Sequence, residues 1–338
     1  MKKSIHIKIS TMKKSLLFLL LFAGMANAQI VNVPDANFKA KLISFVDNNT
    51  DGEIDVTEAS GIGYLDVASA GITDMTGIEA FTNLTTLICF ENSITSLDVS
   101  NSTNLQHLYC NFNQLTSLNV SGLTSLQTLY CQSNQLTTLD VTGLSSLTNL
   151  NCGTNQLSAL NVSGATGLTN LVCSINQIGS LDLTGMANVI NLDCSSNVIT
   201  SLSVNALTNL VDLNCSYNQL SALTVGSLTN LKKLNCYTNQ LTALSVSGLD
   251  LDELDCGYNQ IAALDLATQT NLVVLRCNYN QLTALNFAGL VNLETLDCSQ
   301  NQLPGLSFTG LNNLKNLYCW NNQLTTIDVN SFTTLENL

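Results

Sequence analysis

These 338 residues predict a β-rich solenoid, with a parallel strand ladder on one face, little helix and a small helical cap at the N-terminal end. Three features carry that expectation. First, twelve cysteines keep a fixed spacing: Cys89, Cys110, Cys131, Cys152, Cys173, Cys194, Cys215 and Cys236 stand 21 residues apart, Cys256 comes one residue early, and Cys277, Cys298 and Cys319 resume the period. Second, the pattern LxxLxCxxN surrounds each of them, as in LQTLYCQSNQL from Leu126 to Leu136. Third, residues 29–63 lack the repeat and show helical apolar spacing instead. A fixed period of this size means one structural unit per repeat, too small to bury its own apolar face and stable only when stacked on its neighbours.

The elements follow in chain order. Met1 and Met12 each open a Lys-bearing start, and the second leads into LLFLLLFAGM and Ala26-Asn27-Ala28. That is an export signal with a small-residue cleavage site, so residues 1–28 are expected to be removed, with the true start at either Met. The apolar run is too short to span a bilayer, and no later stretch approaches about 18 apolar residues, so no membrane insertion is expected. Five of the 11 basic residues leave with the signal; the remaining six, against 24 acidic residues, give the mature chain a net charge of −18. Such a surface repels nucleic acid and anionic membranes. Only one histidine, His107, survives cleavage, and no P-loop, GxGxxG or HExxH motif occurs, so triad and His-metal catalysis lack raw material and the chain is not expected to be an enzyme.

Residues 29–63 form the expected N-terminal cap. Pro34 and Asp35 open a helix whose Phe38, Leu42, Phe45 and Val46 fall on one face, which can cover the first coil. Directly after it, DNNTDGEIDVTE resembles the EF-hand loop. Asp47, Asn49 and Asp51 stand in the first three ligand positions, Gly52 at the sharp turn, Glu53 where a carbonyl is offered, then Asp55 and a terminal Glu58. The resemblance implies a structural Ca2+ ion held by Asp47, Asn49, Asp51, Glu53, Asp55 and Glu58. Gly61 and Gly63 keep the following helix very short and there is no second hand, so a metal-free capping turn stands beside that reading.

From Tyr64 to the C-terminus each coil has two extended segments. The alternation in LxC sends Leu and Cys to one face of a short strand, and LTxLxV does the same about ten residues later. Too few residues remain for an ordinary helix, so the outer side is expected to be strand-like or irregular. Gly122, Gly143, Gly164, Gly185, Gly248, Gly289 and Gly310 recur where the chain must bend, and an inward Asn three residues after each Cys can satisfy the backbone of the adjoining turn. The LxxLxCxxN pattern resembles the leucine-rich-repeat family, with Cys in place of the third Leu. The opening turn, with Leu65 and Val67 where Leu and Cys would stand and ITDMTGIEAFTNL after them, looks internalin-like. The resemblance implies about 13 turns over residues 64–338 and a protein that binds others. TTLENL begins a repeat it does not finish, so further coils or a cap are expected beyond Leu338.

The inward register points to buried, reduced thiols rather than disulfides or a metal site, since each Cys neighbours only other Cys and no CxxC occurs. The outward positions around each Cys, three and one before it and one and two after it, vary among coils, and variation on one face is how solenoids carry a binding site. Seven of the eight tyrosines fall there, Tyr109, Tyr130, Tyr217, Tyr237, Tyr258, Tyr279 and Tyr318, joined by Trp320, Phe90 and Phe112. Strand propensity alone could gather some of them. Lys233, Glu253, Asp255 and Arg276 lie among the tyrosines of the C-terminal half, so the candidate ligand-binding residues are Tyr217, Lys233, Tyr237, Glu253, Asp255, Tyr258, Arg276, Tyr279, Tyr318 and Trp320. The expected function is secreted or cell-surface recognition or adhesion, with a protein or glycan ligand. A passive spacer, or the binding region of a larger enzyme, are the alternatives.

Overall fold

The computed structural model describes residues 29–330 and 332–338; the expected export signal lies outside them. Helix α1 spans Ala36–Phe45. Its N-cap Asp35 accepts from the backbone N–H groups of Asn37 and Phe38 through one carboxylate oxygen, both at 2.9 Å, and from Thr73 N–H and Oγ1 through the other. One side chain thus starts the helix and fastens it to the first coil. Phe38, Leu42 and Val46 are fully buried, whereas Phe45, expected to share their face, is 47% exposed. At 100° per residue the buried arc centres on Leu42, with Phe38 and Val46 evenly to either side; Phe45 falls outside it, on the rim, next to Ile62 and Tyr64. Helix α2, Val56–Ser60, is a single short turn held by a reciprocal capping box between Asp55 and Glu58.

Each coil then contributes one strand to a 13-stranded parallel sheet in strict chain order, from Tyr64–Asp66 to Asn316–Tyr318. The middle residue of every strand is an inward Leu, paired with its counterpart one coil on, as Leu87 with Leu108 and Leu254 with Leu275. Cys follows it inward, and eleven of the twelve are buried free thiols; Cys319 is partly exposed. Burial pushes the thiols of Cys89, Cys152 and Cys215 up to about 12. Among the described residues the second extended segment is largely irregular: Leu160–Asn161 and Leu181–Asp182 form a two-stranded sheet, and isolated parallel bridges join Asp98 to Asn119 and Asp140 to Asn161. Seven glycines bend the chain at φ between 75° and 92°, as expected, yet Asn101, Ala206, Ser227 and Thr268 hold the same place without a left-handed backbone. No helix among the described residues is long and apolar enough to cross a membrane.

An asparagine ladder ties the coils together. Asn113 Nδ2 donates to the carbonyls of Cys110 and Cys89, its own coil and the one before, at 3.2 and 2.9 Å, and its Oδ1 accepts from Ile94 N–H at 3.0 Å. Every repeat copies this arrangement, down to Asn322 with Cys319 and Cys298. Buried amides answer backbone groups that the turn leaves unpaired, so the ladder is both satisfied and specific to register.

Candidate functional site

The strands are shorter than the sequence pattern implies. They end one residue before each Cys, so the outward residues one and two places after it belong to a turn rather than to the sheet. The residue two places after every Cys is left-handed, with φ from 49° to 56°, and none of the twelve is glycine. This backbone, fixed by the buried Asn that follows, turns each such side chain out along one rim of the sheet. Tyr217, Tyr258 and Tyr279 hold that position, whereas Tyr237 stands one residue earlier in its coil.

The rings nonetheless join. Tyr217 and Tyr237 lie 5.4 Å apart between centroids, Tyr237 and Tyr258 5.0 Å, Tyr258 and Tyr279 4.0 Å and stacked, and Tyr279 meets Trp320 edge-on at 6.1 Å. Gly257 makes this continuity possible: a Cβ there would stand 3.1 Å from the Tyr237 ring and 2.5 Å from Asn278 Oδ1, so a side chain would force the ring aside. The Tyr279 phenol beside it pushes the Tyr258 phenol up to about 12. Tyr318 lies on the last strand, exposed and outside this stack. Tyr109 and Tyr130 make a separate edge-on pair at 5.4 Å near the N-terminal end.

Next to the stack, on the strands themselves, lies a groove of about 270 Å³ lined by Asp212, Lys233, Asn235, Glu253, Asp255 and Arg276 over Leu234 and Leu254. Lys233 Nζ and Glu253 Oε1 pair at 2.7 Å. Asp255 Oδ1 accepts from Gly257 N–H at 3.2 Å, and burial pushes its carboxyl up, against the pull of that N–H and of Arg276. Burial likewise raises Asp212, with Lys233 opposing. Among the described residues neither Asp212 nor Arg276 has an ion-pair partner. The structure therefore brings together nine of the ten expected ligand-binding residues as a rim of rings beside a charged groove. Gly257 and Asp212 complete the site and were not foreseen. Asp212 occupies an outward position with a charge, which is the signal that could have found it.

Side chains close the loop from Asp47 to Glu58 onto its own backbone: Asp47 Oδ2 accepts from Gly52 N–H at 3.0 Å, Asn49 Oδ1 from Asp51 N–H and Asp51 Oδ1 from Glu53 N–H, both at 2.9 Å. Gly52 is left-handed at φ 83°. Glu58 spends both oxygens on backbone N–H groups, those of Asn48, Asn49 and Asp55, and Glu53 pairs with Lys39 at 2.7 Å. Among the described residues no three acidic, His or Cys side chains converge as a ligand set, but Asp47 Oδ1 is buried without a partner. In place of a second hand, the chain around Ile30 pairs antiparallel with Asp55, with Val31 N–H donating to Ile54 O at 2.8 Å.

The fold and repeat chemistry recur in known proteins. The functional domain of InlJ from Listeria monocytogenes, a structure described as including a cysteine ladder, superposes with a TM-score of 0.81 at 36% identity, over 92% of this chain and 75% of that one. This chain belongs to the internalin-like leucine-rich-repeat family. A second internalin from that organism, InlF, superposes at 0.80 with 26% identity, over 93% of this chain and 98% of the other. Models described as Leucine Rich repeats (2 copies) match residues 82–123, 124–164 and 270–312, and a Leucine Rich Repeat model matches 313–335. By sequence, 69 residues are 38% identical to Internalin J of L. monocytogenes serotype 4b, a match that spans 20% of this internalin-like chain and 8% of that protein.

Proposed function

We propose that this chain is an exported recognition protein that binds a protein partner through the strand face of its C-terminal half. The observation that carries the reading is the unbroken run of rings from Tyr217 to Trp320 beside a groove of charged side chains. Tyr217, Tyr258 and Trp320 are 53%, 40% and 51% exposed, an unusual outlay of aromatic surface in water unless a partner covers it. Large rings with polar tips, anchored on a rigid scaffold, are the kind of residue that dominates protein interfaces. A screen against arrayed extracellular proteins tests the proposal. Tyr237→Ala with Tyr258→Ala should weaken a captured partner by about 30-fold or more, the loss of one hot spot, without lowering the melting temperature. Thr242→Ala on the opposite segment should leave binding unchanged. Full binding by the Tyr pair would place the site elsewhere, and a chain that captures nothing would favour the spacer.

We propose further that the Asp47–Glu58 loop is a calcium-stabilised cap. Asp47, Asn49, Asp51, Asp55 and Glu58 with the Glu53 carbonyl supply oxygen donors of the right kind, and the partnerless Asp47 Oδ1 favours a cation there. Glu58 would have to release the Asn48 and Asn49 N–H groups to join it.

A further inference from the structure

The chemistry of the strand face also says which kind of protein segment fits it, an inference that rests on the reading of that face as the binding site. The rings close on one another: with Tyr258 and Tyr279 stacked at 4.0 Å and Tyr237 tilted against both of its neighbours, the inner rings offer edges and hydroxyls, not open faces. A sugar ring stacks on an open aromatic face, and the stacked Tyr258–Tyr279 pair turns one face of each ring onto the other. Edges and phenols instead suit the side chains and backbone of an extended peptide.

The groove beside the rings sets the charge of that peptide. Strand register places Asp212 beside Lys233, Lys233 beside Glu253, and Asp255 beside Arg276. Asp193 and Asp297 flank the group one coil beyond at either end. Five carboxylates therefore face two cations. Lys233 is already committed to Glu253 at 2.7 Å. Asp212 accepts no hydrogen bond among the described residues, and Asp255 uses one oxygen on a single backbone N–H. Both are partly buried, which makes their ionised forms costly while the groove stands open, and raises their carboxyl pKa values. A positive charge brought into the groove would relieve that cost, while an anionic guest would add to it.

We infer that the partner is a protein segment that lies along the ring stack from Tyr217 to Trp320 and seats a lysine or arginine side chain in the groove against Asp212 and Asp255. The charge of residues 29–338 acts in the same direction, since six basic residues against 24 acidic ones steer basic segments toward it and acidic ones away.

A random-peptide phage library selected on the full chain tests this directly. Selected peptides should share a Lys or Arg, bind more weakly as salt rises, and lose about tenfold or more in affinity on Asp212→Asn with Asp255→Asn, a variant whose melting temperature should not fall. Peptides enriched without a basic residue, or bound equally by that variant, would overturn the cationic guest. The Tyr237→Ala with Tyr258→Ala chain separates the two failures. If it loses peptides that the Asp variant keeps, the face stands and the cation is wrong; if it keeps them all, the face itself is wrong. A glycan array probed in parallel supplies the remaining outcome: sugars retained through the tyrosines, with no peptide enriched, would replace the protein segment by a carbohydrate.

Discussion

Two places after each cysteine the backbone is left-handed, and the residue there is a Glu, Phe, Ser, Thr, Ile, Tyr, Gln or Asn, never a glycine. A β-branched side chain in that conformation carries strain of roughly 1–2 kcal/mol, tolerated because the Asn ladder dictates the turn. Ile175, at φ 55° and 55% exposed, gains little burial in return. Ile175→Asn should therefore stabilise the chain by about 1 kcal/mol, read as a higher melting temperature; a lower one would show that the turn is relaxed with Ile in place. The opposite side of the coil shows a second single-residue device. Asp98, Asn119, Asp140, Asn161 and Asp182 occupy one column in successive coils, and each accepts from the N–H two residues on, at 2.9 to 3.1 Å. Hydroxyl and N–H donors of Ser100, Thr142 and Thr184 hold the three carboxyls below their usual range. Alternation with neutral Asn keeps the same turn in these five coils while separating like charges by about 10 Å instead of about 5 Å. Alternation between Leu and Cys could be read from spacing alone, because it follows from strand geometry. The left-handed rim could not, since nothing in Ser133, Thr154 or Tyr217 marks a residue for positive φ.

At the scale of the coil, the one-residue deletion before Cys256 required a repair. Leu251 N–H would be left without its partner in the shortened turn; Gln269, fully buried in the next coil, accepts from it at 3.0 Å and donates to the carbonyls of Val246 and Leu249 at 2.9 and 3.0 Å. Gln269→Leu fits the apolar column but strands two buried backbone groups, Leu251 N–H and the Leu249 carbonyl, since the Val246 carbonyl still accepts from Leu249 N–H at 3.1 Å. It should cost about 2 kcal/mol or more, at about 1–3 kcal/mol for each group left unsatisfied, and a denaturant midpoint equal to wild type would contradict the repair. The deletion was visible in GLDLDELDC, but its compensation was not. The available hint was a glutamine in a column that most coils fill with Leu, as at Leu123, Leu144, Leu228, Leu249 and Leu290. The cap makes a comparable case, in that helix α1 and the EF-hand-like loop were readable from pattern, while the exposure of Phe45 depended on how the helix sits across the coil. Calcium should raise the melting temperature relative to chelator, because a ligand bound only by the folded cap shifts the unfolding equilibrium. Asp47→Asn, which keeps an acceptor for Gly52 N–H, should reduce that difference. Identical melts of the wild-type chain with and without calcium would remove the metal from the account.

Across the whole molecule, contacts run almost entirely between consecutive coils, so the architecture follows from one repeat and its period. That is why the solenoid, its parallel register and its inward and outward faces were readable from the sequence. The binding face was readable only in part. The tyrosines could be counted, but their union into one stack depends on Gly257, and the groove depends on Asp212 and Lys233 meeting in register. Everything proposed about function rests on that register, because the candidate site is what remains outside when Leu and Cys point inward. Thiol titration of the native chain tests it without any knowledge of the partner. Buried thiols held far above their ordinary pKa have almost no thiolate to react. The account predicts that eleven cysteines stay silent in the folded chain, that Cys319 reacts, and that all twelve react once the chain is denatured. Several cysteines reacting before unfolding, or a mass that shows disulfides, would contradict it.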